Sequence, residues 1–183
     1  IIFQTMITSM LMVIAKEIMK CWRLLTKNII SLFDNIMSII NYNEIFKPEL
    51  TPNEMLEAGV FGGYYFKGNT KEYPKEWFYN AKISKTGFNV DLNYFKIQSG
   101  LSMEHWISKG WIFPEDPLGW FQWYCRYYLG RRIHDIDKIQ IMRWKSYGPR
   151  HKGGILKNCP KLDLSCRSRQ RQGLLQWAYN PFF

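Results

Sequence analysis

The densest run of groups able to move protons or hold phosphate is Arg131-Arg132-Ile133-His134-Asp135-Ile136-Asp137. Two guanidinium groups can grip a phosphate ester while an imidazole or carboxylate beside them acts as general acid or base. The run therefore suits phosphate-ester chemistry, with His134 and Asp137 as candidate catalytic residues. Asp135 and Asp137 are also what the first turn of a helix selects, because a carboxylate there offsets the macrodipole, and that capping role is the preferred reading. The metal candidates are Cys159 and Cys166, with His134 and His151 upstream. Structural zinc sites pair their ligands through two to four intervening residues. Cys159 and Cys166 have six residues between them, so buried thiols are expected in place of a metal site. Cys125, inside an aromatic run, reads as core and not as a nucleophile. Neither a dinucleotide-binding glycine pattern nor a phosphate-loop pattern occurs, and no cofactor is expected.

Binding to a polyanion is better represented than catalysis. Arg126, Arg131, Arg132, Arg143, Lys145, Arg150, Lys152, Arg167, Arg169 and Arg171, together with Lys157, offer phosphate contacts that would position a nucleic acid without reading its sequence. The charge is concentrated there: the chain carries +10, residues 1–120 are close to neutral, and residues 121–183 hold thirteen Lys/Arg against three acids. A one-sided field of this kind attracts nucleic acid, an anionic membrane surface or an acidic protein. An aromatic content of 17% favours nucleic acid, because rings beside arginine stack on bases. Arg167, Arg169 and Arg171 alternate along a helix and cannot share one face, so pairing of some of them with Asp163 or another carboxylate is expected.

The elements that must position these groups are short helices. Thr51-Pro52-Asn53-Glu54 is a capping box with proline at the first helical position, and Gly59 supplies the stop. The following VFGGYYFKGN suggests a tight turn or close backbone approach. Pro74 starts a short helix through Trp77 and Phe78, residues 84–100 read as loop, and Ser102 caps a helix closed by Gly110. In PEDPLGWFQWYCRYYLGRR, Asp116 is expected to cap, Pro117 to occupy the first turn and Gly130 to end a helix with aromatic residues on most sides, which marks it as central. A further helix is expected over 135–147, stopped by Gly148-Pro149. With the basic segment after it, this resembles a helix-turn-helix in a generic spacing. Ser165 is expected to cap the last helix.

Ahead of residue 47, Ile18, Trp22, Leu25, Ile29, Leu32, Ile36 and Ile39 recur at alternating spacings of four and three, which makes a helix with one apolar seam. The seam asks for a partner: the body of the chain, another copy, another protein or a lipid surface. The uncharged run over residues 1–15 is short for a membrane span, and no span is expected. Four scattered cysteines are too few for a disulfide framework and read as reduced thiols in an intracellular protein.

Residues from about 50 to 179 resemble a family of short proteins to which no activity is attached, through TPNEML, GVFGGYY, PKEWF, LNYF, DPLGWFQWYCRYYLGRR, QIMRWK and CRSRQRQGLLQWAY. The resemblance implies one folded unit and supplies no catalytic or cofactor residue to carry onto these positions. Taken together, the expected architecture is mainly α: an amphipathic N-terminal helix over 1–46, then a small orthogonal multi-helix domain over 47–183. The expected function is that of a nucleic-acid-binding or ribonucleoprotein-associated basic protein. The alternatives are an enzyme acting on a nucleotide or nucleic acid, centred on Arg131, Arg132, His134 and Asp137, and a structural subunit that answers an acidic protein partner.

Overall fold

The computed structural model describes residues 14, 16–29, 31–32, 42 and 44–183. Residues 1–44 form one compact unit and residues 45–183 another. In the first, residues 16–29 are helical (α1), with Ile18, Trp22, Leu25 and Ile29 exposed, as is Leu32. Ile36, Ile39 and the run 1–13 lie outside the described residues. No helix among the described residues is long and apolar enough to cross a membrane.

The second unit is mainly α-helical and has no β-sheet among the described residues: α2 (Pro52–Ala58), α3 (Met103–Ser108), α4 (Trp120–Tyr128), α5 (His134–Asn158) and α6 (Ser168–Gln176), joined by loops and three 3-10 turns. α2 starts as its residues dictate. The Thr51 hydroxyl accepts from the Glu54 amide at 3.3 Å, and the Glu54 carboxylate accepts from the Thr51 amide at 2.7 Å. It ends at Gly59, where φ is +106° and a Cβ would lie 2.2 Å from the Leu92 carbonyl oxygen. That close approach lets the Gly59 and Gly62 carbonyls accept from the Tyr94 and Asn89 amides, which binds the 82–94 loop to the 59–63 turn. From α6, the buried Gln172 side chain donates to the same Gly59 oxygen and accepts from the Phe95 amide. A loop without regular structure thus has its backbone groups satisfied.

α4 is the central element and buries Phe121, Trp123, Tyr124, Cys125 and Tyr127. Phe46 sits against Trp123, Tyr124, Tyr127 and Trp144, with ring centroids 4.9–5.7 Å apart and mostly edge to face. Its start differs from the expected one, because Asp116 does not cap it. The helix begins after Gly119, and the Tyr65 hydroxyl accepts from the Gln122 amide while donating to the Leu118 carbonyl. Asp116 is engaged by arginines instead. α6 also begins later than Ser165, after Arg167. Asp163 takes the polar role by accepting from the Ser165 and Cys166 amides.

The largest departure is α5. Gly148-Pro149 does not end it, and 25 residues run as one helix, so no helix-turn-helix is present. Pro149 has no N–H for the Lys145 carbonyl. Tyr179 packs on the helix beside this missing rung. Its ring stacks on Trp144 at 4.6 Å with planes 6° apart, and its hydroxyl donates to the Trp144 carbonyl at 2.9 Å while facing the Gly148 N–H. A side-chain hydroxyl thereby joins the backbone ladder one rung before the one that proline removes. Gly148 leaves room for it, since a Cβ there would lie 2.1 Å from the ring.

The reading of four reduced thiols is corrected for one pair: Cys159 and Cys166 form a disulfide, their Cα atoms 5.8 Å apart across the turn between α5 and α6. Cys21 and Cys125 are free. Replacing Tyr179 with Phe removes the inserted hydroxyl but keeps the stack, and urea denaturation is expected to register a loss of about 1–2 kcal/mol. Gly148→Ala, which forces the ring away, should cost more than Tyr179→Phe in the same measurement.

Candidate binding site

The cations singled out by type fall into two groups, those that hold the fold together and those that face solvent. Arg126 belongs to the first. Its Nε and Nη2 fork onto Glu72, the latter at 2.8 Å, and its Nη1 donates to Asp116 at 3.0 Å and to the Glu115 carbonyl. Arg131 donates to the other Asp116 oxygen at 2.5 Å. The Asp116 carboxylate is fully buried, so both guanidinium groups are required to compensate it. Arg171, with no side-chain exposure to solvent, donates to the Cys166, Asp163, Pro181 and Phe183 main-chain oxygens. Its partner at Asp163 is therefore the carbonyl and not the carboxylate. Lys152 pairs with Glu49, and Arg132 lies 3.6 Å over the Tyr127 ring while donating to the Tyr127 carbonyl. Arg126, Arg131 and Arg171 are structural.

The second group is drawn up along α5. Its buried side carries Ile136, Gln140, Ile141, Trp144, Gly148 and Ile155. Lys138, Lys145, Arg150 and Lys157 lie on the opposite, exposed arc. Arg167, at the start of α6, and Arg169 are exposed as well. Between Asp137 and Asp163 the chain contains no acidic residue, so nothing on the helix neutralises this arc beyond its first turn.

The candidate catalytic residues His134 and Asp137 both lie in the first turn of α5. Asp137 accepts from the Trp123 indole and from the Ile133 amide, both at 2.8 Å, and burial raises its pKa. It ties the start of α5 to the core ring of α4. Neither His134 nor Asp137 lines the cavity described next. Cys159 and Cys166, bonded to each other, are not available as thiolate ligands, and no group of three metal-ligating side chains comes together among the described residues.

Spacing in the sequence did not point to the cavity. A space of about 270 Å³ is walled by Trp106 of α3 and Trp111 just after it, Trp120 and Phe121 of α4, Trp177 after α6, and Phe61 and Phe88 from the loops. Trp120 and Trp177 meet at 4.7 Å, and Trp106 and Trp111 at 5.0 Å. The one charged lining residue is Arg143. Its guanidinium lies 4.4 Å over the Trp111 ring and donates to the Trp111 carbonyl at 2.9 Å and to Gln140 at 3.2 Å. The lining comes from six separate stretches of chain, so no local pattern could have assembled it. The acid-free run around Arg143 was the one visible clue.

Comparison with protein-family models, curated proteins and solved structures gives no match. The site therefore rests on its own chemistry.

Two outcomes follow from the Asp116 cluster. Asp116→Asn leaves two arginines without their shared buried charge and is expected to cost about 3–5 kcal/mol in urea denaturation at neutral pH. Glu72 is held below the ordinary carboxylate value of 4.5, chiefly by hydrogen bonds from Arg126. Its stabilising contribution is complete above that value and is lost as pH falls through the lowered one. Glu72→Gln should remove that part of the acid-side decline when stability is measured between neutral and acidic pH.

Proposed function

We propose that the protein binds nucleic acid through the exposed arc of α5, with phosphates laid along Lys138, Lys145, Arg150 and Lys157 and continued towards Arg167 and Arg169. One observation carries this reading: the arc is cationic and free of acids beyond its first turn. At about 1.5 Å per residue, the 25 residues of α5 extend roughly 37 Å. Lys138 and Lys145 stand seven residues apart on one flank of the exposed side and Arg150 and Lys157 seven apart on the other, about 10.5 Å along the axis within each pair. Contacts of this type set affinity and its salt dependence without reading base sequence.

An anionic bilayer fits less well. A helix lying on lipid inserts its apolar face, whereas α5 has already turned Ile136, Ile141, Trp144 and Ile155 into the core. Ile139, Met142 and Leu156 on the exposed side are scattered among the cations. Asp137, the carboxylate of the enzyme reading, already accepts from the Trp123 indole and the Ile133 amide. Residues 14–32 supply a separate apolar seam through Ile18, Trp22, Leu25, Ile29 and Leu32, which suits a protein partner or self-association and is not needed for the track.

The test is fluorescence anisotropy with a labelled 20-nucleotide RNA, the matching DNA single strand and duplex, poly-glutamate, and vesicles containing phosphatidylserine, across a salt series. Nucleic acid should bind with an affinity that falls steeply with salt. Changing Lys138, Lys145, Arg150 and Lys157 to Ala should weaken binding at least tenfold near 0.1 M salt and flatten the log–log salt slope by about 3 for a single strand. Equal binding by this variant, or preference for vesicles or poly-glutamate, would overturn the proposal.

A further inference from the structure

We propose that the aromatic cavity is a binding site for a small planar aromatic anion, its ring held between the tryptophans and its carboxylate or phosphate on Arg143. This site is distinct from the α5 arc and does not rest on it.

The walls select the body of the ligand. Trp106, Trp111, Trp120, Trp177, Phe61 and Phe88 present flat faces and edges from several directions, which favours a ring over a branched aliphatic chain. A dry cavity of about 150 Å³ accepts one benzene ring, and drug-sized pockets begin near 300 Å³. A space of about 270 Å³ therefore suits a two-ring body carrying one substituent.

Arg143 selects the charge. Its partners are neutral: the Trp111 and Phe113 rings, the Trp111 carbonyl and the Gln140 amide. No carboxylate lies within salt-bridge distance of it among the described residues, and burial alone lowers its pKa. This contrasts with Arg126 and Arg131, which the fold neutralises with Asp116. A half-buried cation without a counterion carries an uncompensated desolvation cost that an incoming anion relieves. Its Nε and Nη2 make no hydrogen bond to the described residues, and so a fork remains for two oxygens of the ligand. Both aromatic carboxylates and nucleotides have this chemistry, and the test separates them.

The experiment titrates the whole chain with 1-naphthoate, 1-naphthamide, acetate and adenosine 5′-monophosphate, following tryptophan fluorescence and thermal melting. Four tryptophans line the cavity, so occupancy should quench emission saturably. Naphthoate should bind with a dissociation constant below about 1 mM and at least tenfold more tightly than the neutral amide of the same shape, and acetate should not compete. Arg143→Gln should weaken naphthoate at least tenfold, whereas the variant lacking the four α5 cations should bind it as the wild type does. Competition by the nucleotide assigns the anion to phosphate, and failure to compete assigns it to carboxylate. Equal binding of naphthoate and naphthamide by the wild-type chain would overturn the proposal even if Arg143→Gln failed to fold. So would an absence of saturable quenching.

Discussion

The hydroxyl of Tyr179, lodged between the Trp144 carbonyl and the Gly148 N–H, is the contact on which the rest of the arrangement turns. It engages the Trp144 carbonyl, next to the Lys145 carbonyl that Pro149 leaves without its helical donor. α5 is helical throughout, from His134 to Asn158. The tyrosine is itself held by its neighbours in the tail. The Glu49 amide donates to the Ala178 carbonyl, the Glu49 carboxylate accepts from the Asn180 amide, and Arg171 fixes the Pro181 and Phe183 oxygens. The same tail places Trp177 against both Tyr147 and Trp120, so it also builds one wall of the cavity. One short segment thus supports a surface and a pocket.

Basic residues serve three different ends here, and composition alone does not separate them. Arg126 and Arg131 neutralise a buried carboxylate, where removal of any one partner leaves a charge in a low-dielectric site. Arg171 works by geometry: one rigid fork gathers four main-chain oxygens from the disulfide turn and the tail. Lys138, Lys145, Arg150 and Lys157 remain in solvent along α5. The net charge of +10 thus overstates what the surface can offer. Its distribution along α5 is the informative quantity.

Features governed by near neighbours were legible in the chain: the Thr51 capping box, the Gly59 stop, the Ser102 cap and the burial of the α4 aromatics. Features governed by distant residues were not. Gly148-Pro149 is a stop signal by every local rule, yet α5 continues through it, with Tyr179, thirty residues on, packed against that turn. Asp116 has the form of an N-cap, yet two arginines further along the chain claim it. Cys159 and Cys166 are joined because the intervening turn brings them together, a geometry that their spacing alone does not fix. For the candidate site, the cationic run was visible, but the division between structural and exposed cations was not, and the cavity had no local signature at all.

The account's central claim is that the exposed cations of α5, and not the basic residues at large, meet the nucleic acid. Lysine-reactivity footprinting tests it most directly: the chain is treated with an amine-modifying reagent with and without a saturating RNA single strand, and modification is read by peptide mass. Lys138, Lys145 and Lys157 should be protected, while the exposed Lys67, Lys85 and Lys109 of the other segments react equally in both samples. Uniform protection of all exposed lysines, or protection confined to residues outside α5, would contradict the account.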